Sequence, residues 1–182
     1  DTNLIDGSAL VQGPIGDDAD FALAARRSWL DVTLREALNS IDDINTIAAP
    51  VYYDYQAMGS WRPSDRDRLR LLIYGSRDSF ELLFTEPSDQ DVALRGGFDL
   101  TSEFHRAHAT WSRKMSGRLD HDLELAAGRY DVNLGFGDAF DFALSGTDVY
   151  LRSEWRARVT DSVRLIAGLD LAYLPGQVDY TG

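Results

Sequence analysis

Apolar and polar residues alternate along much of the C-terminal two-thirds of the chain. The clearest stretch runs from Asp148 to Val159. Side chains of a β-strand point to opposite faces with a period of two, so this stretch places an apolar row ending near a tryptophan on one face and a charged row on the other. The apolar row is Val149, Leu151, Trp155, Ala157 and Val159, and the other row is Tyr150, Arg152, Glu154, Arg156 and Arg158. This pattern is typical of a transmembrane β-barrel strand with lipid on one side and a wet lumen on the other.

The same alternation predicts about eight antiparallel strands in meander order. They are expected over Leu4–Gln12, from Phe21 to Trp29, over Ala49–Trp61, from Leu69 onward, over Phe98–Arg113, from Leu119 onward, over Asp148–Val159, and from Val163 to Tyr173. In the sixth strand the apolar set changes phase after Gly128, which a β-bulge or an exit from the membrane would explain. Leucines spaced by four residues also predict a short helix within Ser28 to Ser40.

Turn-forming residues cluster near positions 16, 65, 117 and 161, and the connections between these hairpins are longer. The long loops are expected at Leu30 to Pro50, Ser76 to Arg95 and Gly135 to Thr147, the second being either a loop or a strand that extends beyond the membrane. Short turns at one end and long loops at the other are typical of outer-membrane barrels.

Three tryptophans, Trp61, Trp111 and Trp155, each precede one of the short turns by a few residues. This spacing predicts that they align as an aromatic girdle at one membrane interface. The alternative is that they are core residues of a soluble β-sandwich.

Composition excludes several other classes. The 182 residues carry a net charge of −12, and Lys114 is the only lysine, so a general nucleic-acid surface is not expected. There is no cysteine, which removes disulfides and thiolate chemistry. No apolar run reaches the length of a membrane helix, so any membrane crossing is expected to use strands. The chain lacks a signal peptide at Asp1, and it is expected to be a mature chain or a piece of a larger protein.

The residues do not assemble a recognisable catalytic or metal motif. On one strand His105 and His108 face opposite sides, and His121 shares the face of Leu119 and Leu123, so the histidines are read as polar residues near the lumen or interface. No phosphate loop, nucleophile elbow or zinc-protease motif occurs. We therefore expect no enzyme activity, no cofactor and no metal site.

Charged residues on two consecutive strands form the main candidate site. Neighbouring strands in sequence usually pair in barrels, so the acidic row of one strand is expected to meet the mixed row of the next as lumen-facing ion pairs. The lumen-facing candidates are Asp120, Asp122, Glu124, Arg152, Glu154, Arg156 and Arg158. These residues would stabilise the wall, anchor a plug domain or contact a ligand.

Four short segments resemble a known family. Leu10–Gly16 (LVQGPIG) followed by Phe21–Asp31 (FALAARRSWLD) is similar to the first barrel hairpin of TonB-dependent outer-membrane receptors. Val51–Gln56 (VYYDYQ) and Asp67–Leu71 (DRLRL) are similar to the second hairpin of that family. The alternating pattern covers most of the chain, whereas the motifs cover only these stretches.

The resemblance implies that residues 1–182 are a single segment of a barrel of about 22 strands in a Gram-negative outer membrane. It implies energised uptake of a scarce ligand, such as an iron chelate, a vitamin or a sugar, with outer-membrane lipid, a plug domain and the TonB complex as partners. No plug or TonB box precedes residue 1, and the chain ends at Gly182 without a terminal aromatic residue, so a fragment holding the first strands is expected. The alternatives are a complete eight-stranded barrel with a structural or enzymatic role, and a soluble β-sandwich binding module.

Overall fold

The computed structural model describes residues 1–3, 5–30, 32, 46–48, 50–84, 97–137 and 139–181, without the side chains of 46–48 and 82–84. The helix predicted within Ser28 to Ser40 and most of the loop predicted at Leu30 to Pro50 lie outside these residues.

The described residues form ten β-strand segments. They are β1 (Asp6–Ile15), β2 (Ala19–Ser28), β3 (Thr46–Ala48), β4 (Val51–Ser64), β5 (Asp67–Phe84), β6 (Phe98–Ser116), β7 (Leu119–Phe136), β8 (Phe140–Arg158), β9 (Arg164–Tyr173) and β10 (Gly176–Thr181).

All segments belong to one antiparallel sheet with the strand order β1-β2-β4-β5-β6-β7-β8-β10. β3 and β4 both pair with β5, and β9 and β10 both pair with β8, so the ten segments occupy eight positions across the sheet. The predicted all-β antiparallel meander is confirmed.

The sheet is open and forms a single layer. Within the described part of the chain β1 pairs only with β2, and β9 and β10 pair only with β8, so the two edges do not meet. Ala126 is the only apolar residue buried among the described residues. The described residues form neither a closed eight-stranded barrel nor a second sheet packed on the first. The sheet therefore has no core of its own, and both of its faces are available to something outside it.

The two faces have different compositions. Residues directly opposite each other on paired strands lie on the same face, and one row reads Trp61, Leu69, Trp111, Leu123 and Ser153 across β4 to β8. We call the side that bears Trp61, Trp111 and Trp155 the tryptophan face, and the opposite side the reverse face. The predicted sorting of apolar and charged residues along β4 to β9 is confirmed by these registers.

Tight turns join the strands at one end, which we call the short-turn end. They lie at residues 16–18, 65–66, 117–118 and 159–163, as predicted. Gly16 adopts a φ of 64°, a left-handed conformation that glycine adopts without steric cost. The other end of the sheet is called the far end.

One prediction about the far end is wrong. Gly135 to Thr147 is not a long loop, because β7 continues to Phe136 and β8 begins at Phe140. A tight turn is possible because Gly137 has a φ of 54°. The second predicted loop, Ser76 to Arg95, had a strand that extends as its alternative. Residues 76–84 belong to β5, in agreement with that alternative. Residues 85–95 lie outside the described part.

The phase change after Gly128 is not a bulge. The pairing of β7 with β8 runs without a register shift from Leu119 opposite Ala157 to Phe136 opposite Phe140. The strand therefore keeps its alternation, and it is the chemical character of each face that changes along the strand.

Candidate functional site

Both faces change character about halfway along the strands. Toward the far end the tryptophan face becomes polar, with Arg77, Glu103, Arg129 and Asp131 on adjoining strands. The reverse face becomes apolar over the same rows of β6, β7, β8 and β10. Its apolar residues there are Phe98, Leu100, Phe104, Tyr130, Val132, Leu134, Phe136, Phe140, Phe142, Leu144, Val178 and Tyr180. The sheet thus carries two apolar areas on opposite faces and at opposite ends.

The predicted charged residues lie together on the short-turn half of the reverse face. Asp120 lies opposite Arg156, Asp122 opposite Glu154, and Glu124 opposite Arg152 in the β7–β8 ladder. The pairing of these two strands, which the sequence predicted, therefore brings acidic and basic side chains into one cluster.

Arginines link the carboxylates within this cluster. The guanidinium of Arg156 donates hydrogen bonds to Asp122 across the strands and to Glu154 along its own strand, the latter at 2.9 Å. Arg152 also donates to Glu154 at 2.9 Å and lies 3.7 Å from Asp170 of β9. Asp120 and Arg158 form no ion pair with any described residue, although the sequence placed them in the same set. Each of these two arginines therefore contacts two carboxylates, so the ion pairs of the cluster are linked rather than isolated.

A groove on the same half of the sheet has a basic lining that the sequence reasoning missed. We call it the basic groove, and it encloses about 1000 Å³. Seven cationic and five acidic residues line it: Arg62, Arg66, Arg68, Arg70, Arg113, Lys114 and Arg156, with Asp18, Asp65, Asp67, Asp120 and Asp122. The alternation in β5 placed Arg68 and Arg70 on the polar side, but only the pairing of β5 with β6 brings Lys114 beside them.

The three tryptophans of the predicted girdle lie on one face, near the short turns. Trp61 and Trp111 fall in the same row, and Trp155 lies one same-face step nearer the turns, opposite His121. Trp61 is 51% exposed and Trp155 38% exposed, so neither is a core residue. The indole nitrogen of Trp111 donates a hydrogen bond to Asp67 at 2.9 Å, which fixes that ring at the start of β5.

The histidines lie as predicted on the two faces and do not come together. His105 lies on the tryptophan face, with Nδ1 2.8 Å from the Tyr55 hydroxyl and Nε2 2.8 Å from Glu103. His108 lies on the reverse face, 3.5 Å from Glu124. His121 is buried and stacks on Trp155 with ring centroids 4.0 Å apart. The described residues contain no cluster of three or more side chains suited to bind a metal ion.

Polar groups toward the far end of the tryptophan face also pair with one another. Arg129 donates hydrogen bonds of 2.8 and 3.0 Å to the two carboxylate oxygens of Asp131. These bonds lower the pKa of Asp131 below its ordinary value and raise the pKa of Arg129. This end of the face is therefore suited to water rather than to an apolar medium.

No helix in the described part of the chain has the length and the hydropathy of a membrane span. No protein-family model matches this chain, and no curated protein sequence matches it.

Proposed function

We propose that this chain is a segment of a transmembrane β-barrel of the bacterial outer membrane, and that the barrel is a TonB-dependent receptor that imports a scarce ligand. The observation that carries the proposal is the pairing of an apolar tryptophan face with a charged reverse face on the short-turn half of a sheet whose described residues bury only one apolar side chain, Ala126. In water the apolar area would remain exposed, whereas lipid would cover it and leave the charges toward the lumen.

The dimensions of the apolar area support a membrane location. On β4 the tryptophan-face residues from Val51 to Trp61 are apolar or aromatic. They span about 34 Å of strand, and a tilt of about 45° reduces this to about 24 Å, close to the apolar height of about 25 Å in outer-membrane barrels. On β5 to β7 the same face becomes polar in the row of Tyr53, with Arg77, Glu103 and Asp131, which is the pattern that an exit from the membrane would produce on those strands.

The open edges support a barrel larger than this sheet. The backbone groups along the free sides of β1 and of β9 and β10 have no strand beside them among the described residues. Such groups cannot stay unpaired in hydrocarbon, so further strands are needed to close the wall. The charges of the reverse face would then line the lumen, where a plug domain, the TonB complex and a small ligand such as an iron chelate, vitamin or sugar are the partners of the transport step. No catalytic step is proposed.

Substitution with arginine on the two faces tests the proposal. Leu125 lies on the tryptophan face and is 49% exposed, and Thr110 lies on the reverse face of the neighbouring strand. Leu125→Arg places a charge in the lipid and is expected to lower the free energy of unfolding in detergent micelles by about 2–4 kcal/mol. Thr110→Arg is the matched control and is expected to have little effect, because in the proposed barrel it faces the lumen, between Glu124 and Arg70 of the neighbouring strands.

Chemical unfolding followed by tryptophan fluorescence and circular dichroism gives the free energy of unfolding of each variant. Equal effects of the two substitutions would contradict the proposal, because only lipid around the tryptophan face would make arginine more costly at position 125 than at position 110. In a soluble sheet, arginine at the half-exposed position 125 would cost little. A chain that stays monomeric in plain buffer would also overturn the membrane assignment.

A further inference from the structure

A second groove lies on the reverse face across β2, β4, β5 and β6, and we call it the cross-strand groove. It encloses about 710 Å³, a volume typical of sites that bind small molecules. Arg70 lies at its border with the basic groove and lines both. Most of the side chains that line the cross-strand groove come from two neighbouring rows of the reverse face.

The row nearer the short turns carries opposite charges at its two sides. Asp20 of β2, Ser60 of β4 and Arg70 of β5 lie directly opposite one another in the ladders. Two strand spacings, or about 10 Å, separate the backbone of Asp20 from that of Arg70. Both residues line the groove, and neither forms an ion pair with a described residue. The groove therefore has an acidic side and a basic side, and neither charge is neutralised within the described part of the chain.

The hydroxyl of Ser60 lies between these two charges. Its Oγ is buried and has no hydrogen-bond partner among the residues that the structure describes. Ser60 also lines the cross-strand groove. A buried hydroxyl without a partner costs free energy, and a bound molecule that supplies the partner would recover it.

The second row of the groove is apolar. Ala22, Met58 and Leu72 lie directly opposite one another, one same-face step toward the far end. Met58 is 44% exposed, and methionine is a flexible side chain that adapts to irregular apolar shapes. The groove thus places an apolar surface beside two opposite charges.

We propose that the cross-strand groove binds a small zwitterion that has an apolar part. The cationic group of the ligand pairs with Asp20, and its anionic group pairs with Arg70. Its apolar part packs on Met58 and Leu72, and the Ser60 hydroxyl gains a hydrogen-bond partner. A ligand with a single charge would leave one side of the groove uncompensated.

This inference names the class of the imported ligand, and it rests on the proposed function for that role, because only in a barrel does the reverse face line the import route. Binding itself requires no membrane.

Calorimetric titration of the full chain in nonionic detergent micelles tests the inference. The probe is the tripeptide alanyl-leucyl-alanine, a zwitterion with an apolar side chain. Its N-acetyl form lacks the cation, and its C-terminal amide lacks the anion. Each blocked form is expected to bind at least about threefold more weakly than the free peptide. Equal Kd values for the free and blocked peptides would overturn the proposal.

Two substitutions assign the charges of the groove to the two ends of the peptide. Asp20→Asn is expected to weaken binding of the free peptide and the amide about threefold and to leave the N-acetyl form unchanged. Arg70→Gln is expected to weaken binding of the free peptide and the N-acetyl form and to leave the amide unchanged. The matched controls, Asp18→Asn and Arg68→Gln, remove the same charges from positions that do not line this groove, and they are expected to change none of the three Kd values.

The unchanged binding of one blocked peptide shows in each case that the variant is folded. Equal losses for all three peptides, or losses in the controls as large as those in the groove variants, would overturn the assignment. Absence of binding at millimolar peptide would also overturn it. Failure of the proposed function has a separate readout: a chain that binds the zwitterion but tolerates Leu125→Arg as well as Thr110→Arg keeps the site and loses the membrane assignment.

Discussion

At the scale of single residues, close packing in this single-layer sheet depends on positions that have no side chain. Gly75 of β5 lies beneath the contact between Tyr55 and His105. A Cβ built there would come within 2.7 Å of the backbone oxygen of Phe104 and 2.5 Å of the His105 ring. The hydrogen-bonded Tyr55–His105–Glu103 series therefore requires glycine at this point.

Gly75→Ala is expected to lower the free energy of unfolding by about 1–3 kcal/mol, because neither the backbone of β6 nor the two rings can move aside without losing a hydrogen bond. The control is Gly59→Ala, also on the tryptophan face, where the nearest atom is a backbone oxygen 3.9 Å away. It is expected to be neutral or slightly stabilising. Chemical unfolding in detergent micelles measures both, and a cost for Gly75→Ala no greater than that for Gly59→Ala would contradict the steric explanation.

The sequence predicted the face on which single residues lie better than it predicted their contacts. The opposite orientations of His105 and His108 followed from their odd separation, because alternation is a local property of a strand. The contact of His105 with Tyr55 could not be predicted, since it joins two strands through a register that the sequence does not state. For the same reason the sequence predicted the charged set, but not that Asp120 and Arg158 form no ion pair with a described residue.

At the scale of strands, each element presents two chemically distinct rows whose character changes along its length. On β7 the tryptophan-face row from Leu119 to Ala127 is apolar except for the buried His121, and it is polar from Arg129 onward. The opposite row is acidic near the short turn and apolar from Tyr130 to Phe136. A strand of this kind can remain in register while it passes from one surrounding medium to another.

Detergent accessibility of the two rows provides an element-scale prediction. In a chain whose native tryptophans are replaced by phenylalanine, Leu125→Trp reports on the tryptophan face and Thr110→Trp on the reverse face. Brominated detergent is expected to quench the fluorescence of Leu125→Trp strongly and that of Thr110→Trp weakly, because detergent chains cover the apolar row. Equal quenching at the two positions would mean that the faces do not differ in their surroundings.

At the scale of the whole molecule, the open sheet is the decisive feature. The edge segments are exposed on both faces: Val11 of β1 is 59% exposed and Ile166 of β9 is 59% exposed. Strand edges with unpaired backbone groups pair readily with other strands. A sheet of this form is therefore stable in a bilayer only when additional strands complete the wall.

The chain alone is expected to form no stable conducting pore in a planar bilayer and no heat-modifiable monomer on a gel, even when circular dichroism in micelles shows β structure. Supplying strands that pair with β1 and with β9 and β10 in one polypeptide is expected to restore both properties. Steady conductance and heat modifiability of the chain by itself would show that the two edges can meet, and would remove the argument for a larger barrel.

The sequence by itself determined the strands, most of their turns and the chemical character of each face, because these depend on the period-two alternation and on local turn formers. The tertiary structure alone decided that β7 and β8 meet in a tight far-end turn, that the phase change after Gly128 involves no bulge, and that Arg68, Arg70 and Lys114 line one groove. These features depend on the registers between strands. A register is set by the simultaneous fit of distant segments, and no single stretch of the chain contains that information.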